Sequence, residues 1–504
     1  MWPLQFRNKD MPVETHNLPL PYKDAVEYYK IFRGNAEIDR APSFVFESSD
    51  TMNKSSRLSL VGIDPVLELK GKVDTCEIHL LQERGRPYFE FIAEKFPDFT
   101  HRISNEELLL NIPKIDFEGP ENERFRRQNI TQIIREMILN FKTDDDNYLG
   151  LYGALSYYFV YLFEELERSK ISETPDFHLF LFDTIVFFSH LNHQSSIYCM
   201  RATQADARAD ALKLKELALN GEPREFERPR VRQTNSEPSN EEFMDQVRQA
   251  KGLCERGELM ELVLSRKITA RMEGDALALY EYYKSLNPSP YMFFFDFGDE
   301  TLLGTSPEMM VRYEGDRLTL RPISGSAPRG KNTIEDHNIM MDLLNNPKEK
   351  SELDMLIDLG RNDLARACKP GIDVEQYRVV EKYSHVMHTV AQVAGELQDG
   401  LIGLDGLTSC LNAGTLTGAP KVAAMRHIEE IERHSRGYYG GAVGYFLFNG
   451  DVNTSIVIRS AYIRENILNY LTGATLLYES DPERELYETQ FKAAAFMKIL
   501  KQFE

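Results

Sequence analysis

The chain has 504 residues, of which 59 are Lys or Arg and 79 are Asp or Glu, so its formal net charge at neutral pH is −20. This length can bury a large core and accommodate roughly two to four domains, and the negative charge argues against nucleic acid or an acidic membrane as a partner. The five cysteines are far apart and lack metal-ligand spacing, which predicts free thiols in a reducing compartment. Residues 1–7 lack the features of a signal peptide, and no stretch of about 18 apolar residues could span a bilayer. We therefore expect a soluble, cytoplasmic protein.

Alternating apolar stretches predict β-strands in the first half of the chain, at 44–46, 57–63 and 178–182. Charged segments around 121–142 and 203–219 predict helices between these strands.

A change of composition then marks a candidate domain boundary. From Gly221 to Asn240 the chain is rich in Pro, Glu, Arg, Ser and Asn, which predicts a solvated linker between residues 1–220 and 241–504. At its end, Ser239 and Glu242 have the spacing of a capping box, which predicts the start of a helix.

The second half contains two blocks of predicted strands. Their segments are 291–297, 301–304, 309–313 and 318–323 in the first block, and 441–448, 454–463 and 467–471 in the second. Turn-like segments separate the strands, which predicts adjacent antiparallel strands within each block. Helices are predicted at about 347–368 and from about 482 onward. The pattern as a whole predicts an α+β fold of antiparallel sheets with surrounding helices.

Three carboxylates occupy helical positions that suit a functional site. Glu352 shares an apolar stripe with Met355 and Leu359, where an ionised carboxylate is costly unless it is paired or bound to a metal. In the last predicted helix, Glu485 and Glu488 lie one turn apart on one face. On spacing alone, the favoured interpretation of that pair is a solvated acidic first turn stabilised by the helix dipole.

Three motifs in the second half carry a resemblance to a known family. They are Gly414-Thr415-Leu416-Thr417-Gly418-Ala419-Pro420-Lys421, Tyr439-Gly440-Gly441-Ala442-Val443-Gly444 and Ile456-Val457-Ile458-Arg459-Ser460. With them, residues 240–500 resemble the chorismate-utilising enzymes, and within that family the large subunit (component I) of anthranilate synthase. The resemblance implies an anthranilate synthase component I-like fold, with an N-terminal regulatory-type domain (1–220) and a chorismate-binding catalytic domain (241–504). It also implies conversion of chorismate and ammonia, through aminodeoxyisochorismate, to anthranilate and pyruvate in tryptophan biosynthesis.

The same resemblance assigns roles to four acidic residues. Glu352 and Glu488 match the two carboxylates that hold Mg²⁺ in the family, and Glu485 would be a second or outer-shell ligand. Oxygen ligands suit this hard cation. Glu308 matches the general acid that protonates the departing 4-hydroxyl group, a role that requires burial to raise its pKa. Without the resemblance, Glu308 would be interpreted as a surface acid after a proline.

His388 matches the histidine that the family associates with removal of the enolpyruvyl side chain. Without the motif, a lone histidine on an apolar helix would be interpreted as a core residue. His385 matches no functional position, and we expect it to be structural.

The resemblance also implies which residues bind each of the two carboxylates of chorismate. The matching positions are Gly325, Ser326 and Thr415 for the ring carboxylate, and Tyr439 and Arg459 for the pyruvyl carboxylate. A planar guanidinium binds a carboxylate through two parallel hydrogen bonds, which lysine cannot do. The alternative for Arg459 is a buried ion pair. Lys421 follows a Gly-Ala-Pro turn and is expected to shape or neutralise the pocket.

The chain departs from the family pattern at two places. At Glu261 the isochorismate and salicylate synthases have the lysine that activates water, and an ionised glutamate beside a dianion is a poor base, so water is disfavoured as the nucleophile. At Gly473-Ala474-Thr475 stand-alone anthranilate synthases usually have Gly-Ala-Gly, and Thr475 adds a side chain at a backbone-contact position. Glutamate at position 261 is typical of fused anthranilate synthases and of aminodeoxyisochorismate synthases. An enzyme that stops at aminodeoxyisochorismate therefore stays an alternative.

The resemblance also extends to regulation and to a partner. Phe46-Glu47-Ser48 and Pro290-Tyr291-Met292 resemble the two elements of the family's tryptophan site, although the first is short and could be an ordinary strand end. The sequence has no cysteine, histidine and glutamate arrangement typical of a glutaminase, so we expect ammonia from solution or from a separate glutamine amidotransferase subunit in a hetero-oligomer. A catalytically idle, tryptophan-binding regulatory subunit is the alternative from another class.

Overall fold

The computed structural model describes residues 14–36, 38–48, 58–115, 124–125, 127–141, 148–383 and 386–504. The α-helices in these ranges are α1 (Ala25–Arg33), α2 (Arg86–Lys95), α3 (Gln132–Asn140), α4 (Gln204–Asn220), α5 (Asn240–Glu255), α6 (Ala276–Leu286), α7 (Thr333–Asn345), α8 (Pro347–Ala365), α9 (Gly403–Cys410), α10 (Gly414–Thr417), α11 (Lys421–Ile431) and α12 (Pro482–Leu500). Short 3-10 helices lie at Glu83–Gly85 and Tyr157–Leu162. In the described ranges, none of the helices has the length and apolar character needed to cross a bilayer.

The strands of the described ranges follow in chain order. They are β1 (Glu14–Leu20), β2 (Ser43–Glu47), β3 (Leu58–Ile63), β4 (Leu67–Lys72), β5 (Thr75–Leu80), β6 (Thr100–Arg102), β7 (Glu107–Asn111), β8 (Gly150–Leu155), β9 (Phe177–Phe182), β10 (Thr184–Ser189), β11 (Gln194–Arg201), β12 (Arg230–Glu237), β13 (Glu261–Glu273), β14 (Tyr291–Asp296), β15 (Glu300–Ser306), β16 (Met309–Glu314), β17 (Arg317–Leu320), β18 (Ile323–Pro328), β19 (Asp373–Lys382), β20 (Val386–Glu396), β21 (Gly418–Ala419), β22 (Ala442–Leu447), β23 (Val452–Ile456), β24 (Ser460–Arg464) and β25 (Ile467–Leu476).

These strands form two large antiparallel sheets. The first has the order β1-β11-β10-β3-β2-β14-β15-β24-β25-β13-β12, with β21 paired to β13. The second has the order β18-β20-β17-β16-β23-β22-β8-β9-β4-β5-β7-β6, with β19 paired to β20. The predicted α+β class with antiparallel sheets is confirmed.

The main core lies between the two sheets and is rich in aromatic side chains. Phe44 of the first sheet stacks on Tyr152 of the second, with ring centroids 4.7 Å apart, and on Phe295 of its own sheet at 5.0 Å. A second core covers the other face of the first sheet, where Val45, Phe294 and other apolar side chains pack against α1, α4, α6 and α12.

The chain crosses between the sheets at several points, and two of these crossings correct the predicted strand blocks. It leaves the first sheet after Ser306 and enters the second at Met309, and it returns between Ile456 and Ser460. The predicted strand 454–463 is therefore two strands, β23 and β24, in different sheets. Pro307 has no N–H with which to continue the hydrogen bonds of a sheet, so it marks the end of a strand. The alternation of apolar residues does not show that the next strand belongs to another sheet.

The two crossings lie side by side. The Ile456 N–H donates to the Glu308 carbonyl at 3.1 Å, and the Thr305 N–H donates to the Arg459 carbonyl at 3.0 Å. Two residues with predicted functions, Glu308 and Arg459, therefore lie where the chain passes between the sheets.

The predicted linker 221–240 is not solvated coil throughout. Its residues Arg230–Glu237 form β12, an edge strand that pairs with β13, and both sheets take strands from each side of this segment. The division into a regulatory-type and a catalytic domain stays a prediction. The helix start predicted from Ser239 and Glu242 is confirmed, because both hydrogen bonds of the capping box are present at α5. All five cysteines are free.

Candidate active site

Glu308 is a buried carboxylate at the crossing between Ser306 of the first sheet and Met309 of the second. It is 8% exposed, and the Thr415 hydroxyl donates to its two oxygens at 3.2 and 3.3 Å. Burial raises the pKa of Glu308 to about 8, although the Thr415 hydrogen bond and the charge of Lys492 act in the opposite direction. The carboxyl group is therefore mostly protonated at neutral pH, as a general acid must be. The sequence alone did not establish this condition.

His388 lies on strand β20, which corrects the assumed helix. Its Nδ1 is 2.8 Å from the Ser326 hydroxyl and 3.2 Å from the Gly325 carbonyl oxygen. Because a carbonyl only accepts, Nδ1 carries the hydrogen and Nε2 is left with a free lone pair. Burial lowers the pKa of His388, and the charge of Arg459 lowers it further, so the ring is neutral near pH 7. Its neighbour His385 lies outside the described residues.

Glu261 begins β13 and is 2% exposed. Burial, with a smaller contribution from the charge of Glu352, raises the pKa of Glu261 to about 7. The sequence argument assumed a fully ionised carboxylate at this position. The structure instead indicates a group that is partly protonated at neutral pH and can exchange a proton there.

The predicted metal ligands share one electrostatic neighbourhood. The pKa of Glu352, on α8, is raised first by burial and then by the charge of Glu349, with a smaller effect of Glu488. Glu485, on α12, is 8% exposed, and its Oε2 is buried without a hydrogen-bond partner in the described part of the chain. An unsatisfied, buried carboxylate oxygen among other carboxylates fits a hard cation such as Mg²⁺.

In this side-chain arrangement the ligand oxygens of Glu352, Glu485 and Glu488 do not all lie within 4.8 Å of one another. In the described ranges, the only group whose ligand atoms all lie within 4.8 Å of one another is His178, Asp299 and Glu300, outside the predicted site. Glu488 instead accepts from Lys492 at 2.7 Å. Sequence reasoning missed Lys492, although its spacing four residues after Glu488 on one helix could have indicated the pair.

The group at His178 connects the two sheets, and both ring nitrogens of the histidine have hydrogen-bond partners. Nε2 of His178 is 2.7 Å from Glu68, and Nδ1 is 3.2 Å from Glu300. Burial alone would lower the pKa of His178, but the hydrogen bonds to Glu300 and Glu68 outweigh it and raise the pKa. Lys70 pairs with Asp299 at 3.2 Å. We interpret the cluster as structural.

Arg459 has no carboxylate partner within 4 Å among the described residues, so the alternative of a buried ion pair is not supported. Its backbone has a φ of 50°, in the left-handed region.

Tyr439 is 6% exposed. Its hydroxyl lies so close to Gly473 that a methyl group there would be 2.9 Å from it. Gly473 and Thr475 are on β25, where Thr475 pairs with Val263 of β13.

Lys421 is buried and paired with a carboxylate. Its Nζ donates to Asp363 at 2.6 Å and to the Cys410 carbonyl at 2.7 Å. The ammonium is neutralised by Asp363, a residue that sequence reasoning missed. This geometry supports a structural role and does not support the predicted role in neutralising the pocket.

The two predicted tryptophan elements are neighbours in the first sheet. Met292 of β14 pairs with Glu47 of β2, which places Ser48 at the adjoining strand end. Glu47 is buried and accepts from the Tyr280 hydroxyl and from Lys284. Pro290 and Tyr291 line a small cavity together with Pro307 and Met309, the residues that flank Glu308.

Comparison with known proteins agrees with this architecture. The family model described as chorismate binding enzyme matches residues 100–498. Anthranilate synthase component 1 of Buchnera aphidicola subsp. Rhopalosiphum maidis is 34% identical over 92% of this chain and 93% of its own length. The Methanothermobacter marburgensis protein of the same name is 31% identical over 96% of each chain. The crystal structure of anthranilate synthase component I from Streptococcus pneumoniae superposes with a TM-score of 0.70 at 26% identity, covering 88% of this chain and 93% of that one. The chain therefore belongs to the family of chorismate binding enzymes.

Proposed function

We propose that this protein is the chorismate-converting component of an anthranilate synthase, which forms anthranilate and pyruvate from chorismate and ammonia in tryptophan biosynthesis. The names of its relatives support this proposal. The observation that carries it is Glu308, a buried carboxyl with a pKa of about 8 that is hydrogen-bonded to Thr415. A protein that only bound a ligand would not need a proton donor held neutral at this position.

In the first half-reaction, Glu308 donates its proton to the 4-hydroxyl oxygen of chorismate, which leaves as water while ammonia bonds to C2. The added nitrogen must lose one proton. Glu261, with a pKa of about 7, accepts it. One proton leaves Glu308 and one arrives at Glu261, so the step is balanced.

In the second half-reaction, His388 acts as the base. Its Nδ1 hydrogen is held by the Gly325 carbonyl, which leaves Nε2 to accept the proton from ring carbon C2. The C3–O bond breaks, and the enolpyruvate takes up a proton to become pyruvate. Arg459, free of a carboxylate partner in the described ranges, holds the pyruvyl carboxylate beside Tyr439.

We infer that Glu352, Glu485 and Glu488 hold Mg²⁺. The bound ion would neutralise the ring carboxylate and withdraw charge from the ring as a Lewis acid. The Oε2 of Glu485, which has no hydrogen-bond partner among the described residues, supports this assignment. Lys492 would have to release Glu488 if that residue binds through Oε1.

The nearest alternative is an enzyme that stops at aminodeoxyisochorismate, which Glu261 and Thr475 keep open. Incubation with chorismate, Mg²⁺ and an ammonium salt distinguishes the candidates. Anthranilate fluorescence with an equal amount of pyruvate supports the proposal. An aminated product heavier than anthranilate, formed without pyruvate, supports the alternative. Unchanged chorismate supports a regulatory subunit.

Regulation, partner and location complete the proposal. Tryptophan would bind between Ser48 and the Pro290-Tyr291-Met292 segment, whose cavity also contacts the residues flanking Glu308. A separate glutamine amidotransferase would supply ammonia, and both subunits would act in the cytoplasm.

A further inference from the structure

Arg436, a buried residue with no predicted role, contacts three parts of the candidate site. Its side chain is 1% exposed. Nη1 donates to the Leu416 carbonyl at 2.6 Å, and Nη2 donates to the Val263 carbonyl at 2.8 Å. Leu416 follows Thr415, the partner of Glu308, and Val263 is two residues after Glu261. Two separate backbone elements are thus hydrogen-bonded to one planar group.

An anchor holds this guanidinium in place. Glu432 accepts from its Nε at 2.9 Å and from its Nη2 at 2.7 Å. Glu432 also accepts from the N–H of Ser265 at 2.6 Å and from its hydroxyl at 2.9 Å. The buried pair is therefore well hydrogen-bonded, which offsets the cost of removing two charges from water.

The face of the guanidinium also contacts the site. Its carbon lies 4.8 Å from the ring centroid of Tyr157 and 5.8 Å from that of Tyr439. The Tyr439 hydroxyl in turn lies against Gly473.

We propose that Arg436 is a positioning residue that fixes helix α10 with Thr415, the Glu261 strand and the Tyr439 ring relative to one another. The catalytic consequence rests on the proposed function, because it concerns the roles assigned there to Glu308 and Glu261. An ion pair that only added stability would not need bonds to two carbonyl groups of different site elements. Lysine keeps the charge but cannot reproduce the fork.

Arg436→Lys tests this proposal, with Arg266→Lys as a matched control. Arg266 is a buried arginine on the same strand as Glu261, 5% exposed, and it donates to the Pro238 carbonyl and to Asn240, away from the site. We expect Arg436→Lys to lower kcat/KM on the order of 100-fold, the effect of displacing catalytic groups by about 1 Å. The control should stay close to wild type.

Two further measurements separate positioning from stability. Amide hydrogen exchange should become faster at 261–264 and 414–419 in Arg436→Lys and stay unchanged there in the control. If Thr415 is displaced, Glu308 loses a bond that favours its ionised form, so the alkaline limb of the pH profile should move to higher pH. Unchanged exchange, with a kcat/KM no lower than that of the control, would overturn the proposal.

If Arg436→Lys does not fold, the double substitution Glu432→Gln with Arg436→Gln removes both buried charges and leaves none uncompensated. The double variant should fold and show the same faster exchange, whereas wild-type exchange would again overturn the proposal. If wild-type enzyme shows no limb near pH 8, the assigned role of Glu308 fails. The exchange result still decides the role of Arg436.

Discussion

Replacement of Gly473 by alanine should impair chorismate binding through Tyr439. The new methyl group would lie 2.9 Å from the Tyr439 hydroxyl oxygen and 3.0 Å from the Leu264 carbonyl oxygen. Neither neighbour can easily retreat, because Tyr439 is buried and Leu264 is in the ladder between β13 and β25. Overpacking of this kind costs about 1–3 kcal/mol. If that cost falls on the ring that holds the pyruvyl carboxylate, the KM for chorismate should rise roughly five- to 150-fold.

Steady-state kinetics and calorimetry on the wild type and four variants test this prediction. Gly252→Ala is the control, because its methyl group on α5 would meet only the flexible end of Arg256, at 3.3 Å. Comparing Tyr439→Phe with the Tyr439→Phe, Gly473→Ala double variant shows whether the hydroxyl causes the loss. Adding Gly473→Ala to the Tyr439→Phe variant should raise the KM for chorismate by a smaller factor than adding it to the wild type. A lower Tm for Gly473→Ala with unchanged KM would show that the crowding is real but that Tyr439 is not in the substrate site.

Three other predictions concern the metal, the second half-reaction and feedback. Glu488→Gln should raise the Mg²⁺ concentration needed for half-maximal activity without loss of fold, and unchanged activity at limiting Mg²⁺ would contradict the metal assignment. His388→Met should slow pyruvate release more than chorismate consumption, so that an aminated intermediate accumulates in mass spectra; equal slowing would contradict a role confined to elimination. Tryptophan should raise the KM for chorismate, and Ser48→Phe should abolish this effect by filling the pocket, with little change in uninhibited turnover. Calorimetry that detects no tryptophan binding to the wild type would remove the feedback proposal.

Local signals in the sequence were sufficient to predict much of the fold. Capping at Ser239 and the start of α12 depend on side chains within a few residues, and both were predicted correctly. The sheet crossings were not predicted, because residues 306–309 resemble an ordinary turn and residues 456–458 continue an apolar strand. The sheet that each strand joins depends on distant strands. The strand β12 was missed because it lies at the edge of the sheet, where most of its side chains are polar and exposed and do not show the apolar pattern of a strand.

The sequence provided candidate site residues but not their protonation states. Motif matching selected Glu308 and His388 as candidates, but the pKa of about 8 for Glu308 comes from burial at a crossing that no local pattern indicates. Lys421 was assigned to the pocket because the sequence around it does not indicate its partner, Asp363, which is 58 residues away in the chain. Arg436 carried no motif role, since its importance arises from carbonyl groups on two remote elements.

The central claim, that Glu308 is the proton donor, is tested most directly by the pH dependence of kcat/KM for chorismate at constant free ammonia. Because the protonated form is active, wild-type kcat/KM should fall as pH rises through about 8, the pKa of Glu308 in the free enzyme. Glu308→Gln should lower kcat/KM about 10²- to 10⁴-fold and remove this limb. A Glu308→Gln variant that keeps the wild-type limb and most of the activity would contradict the account.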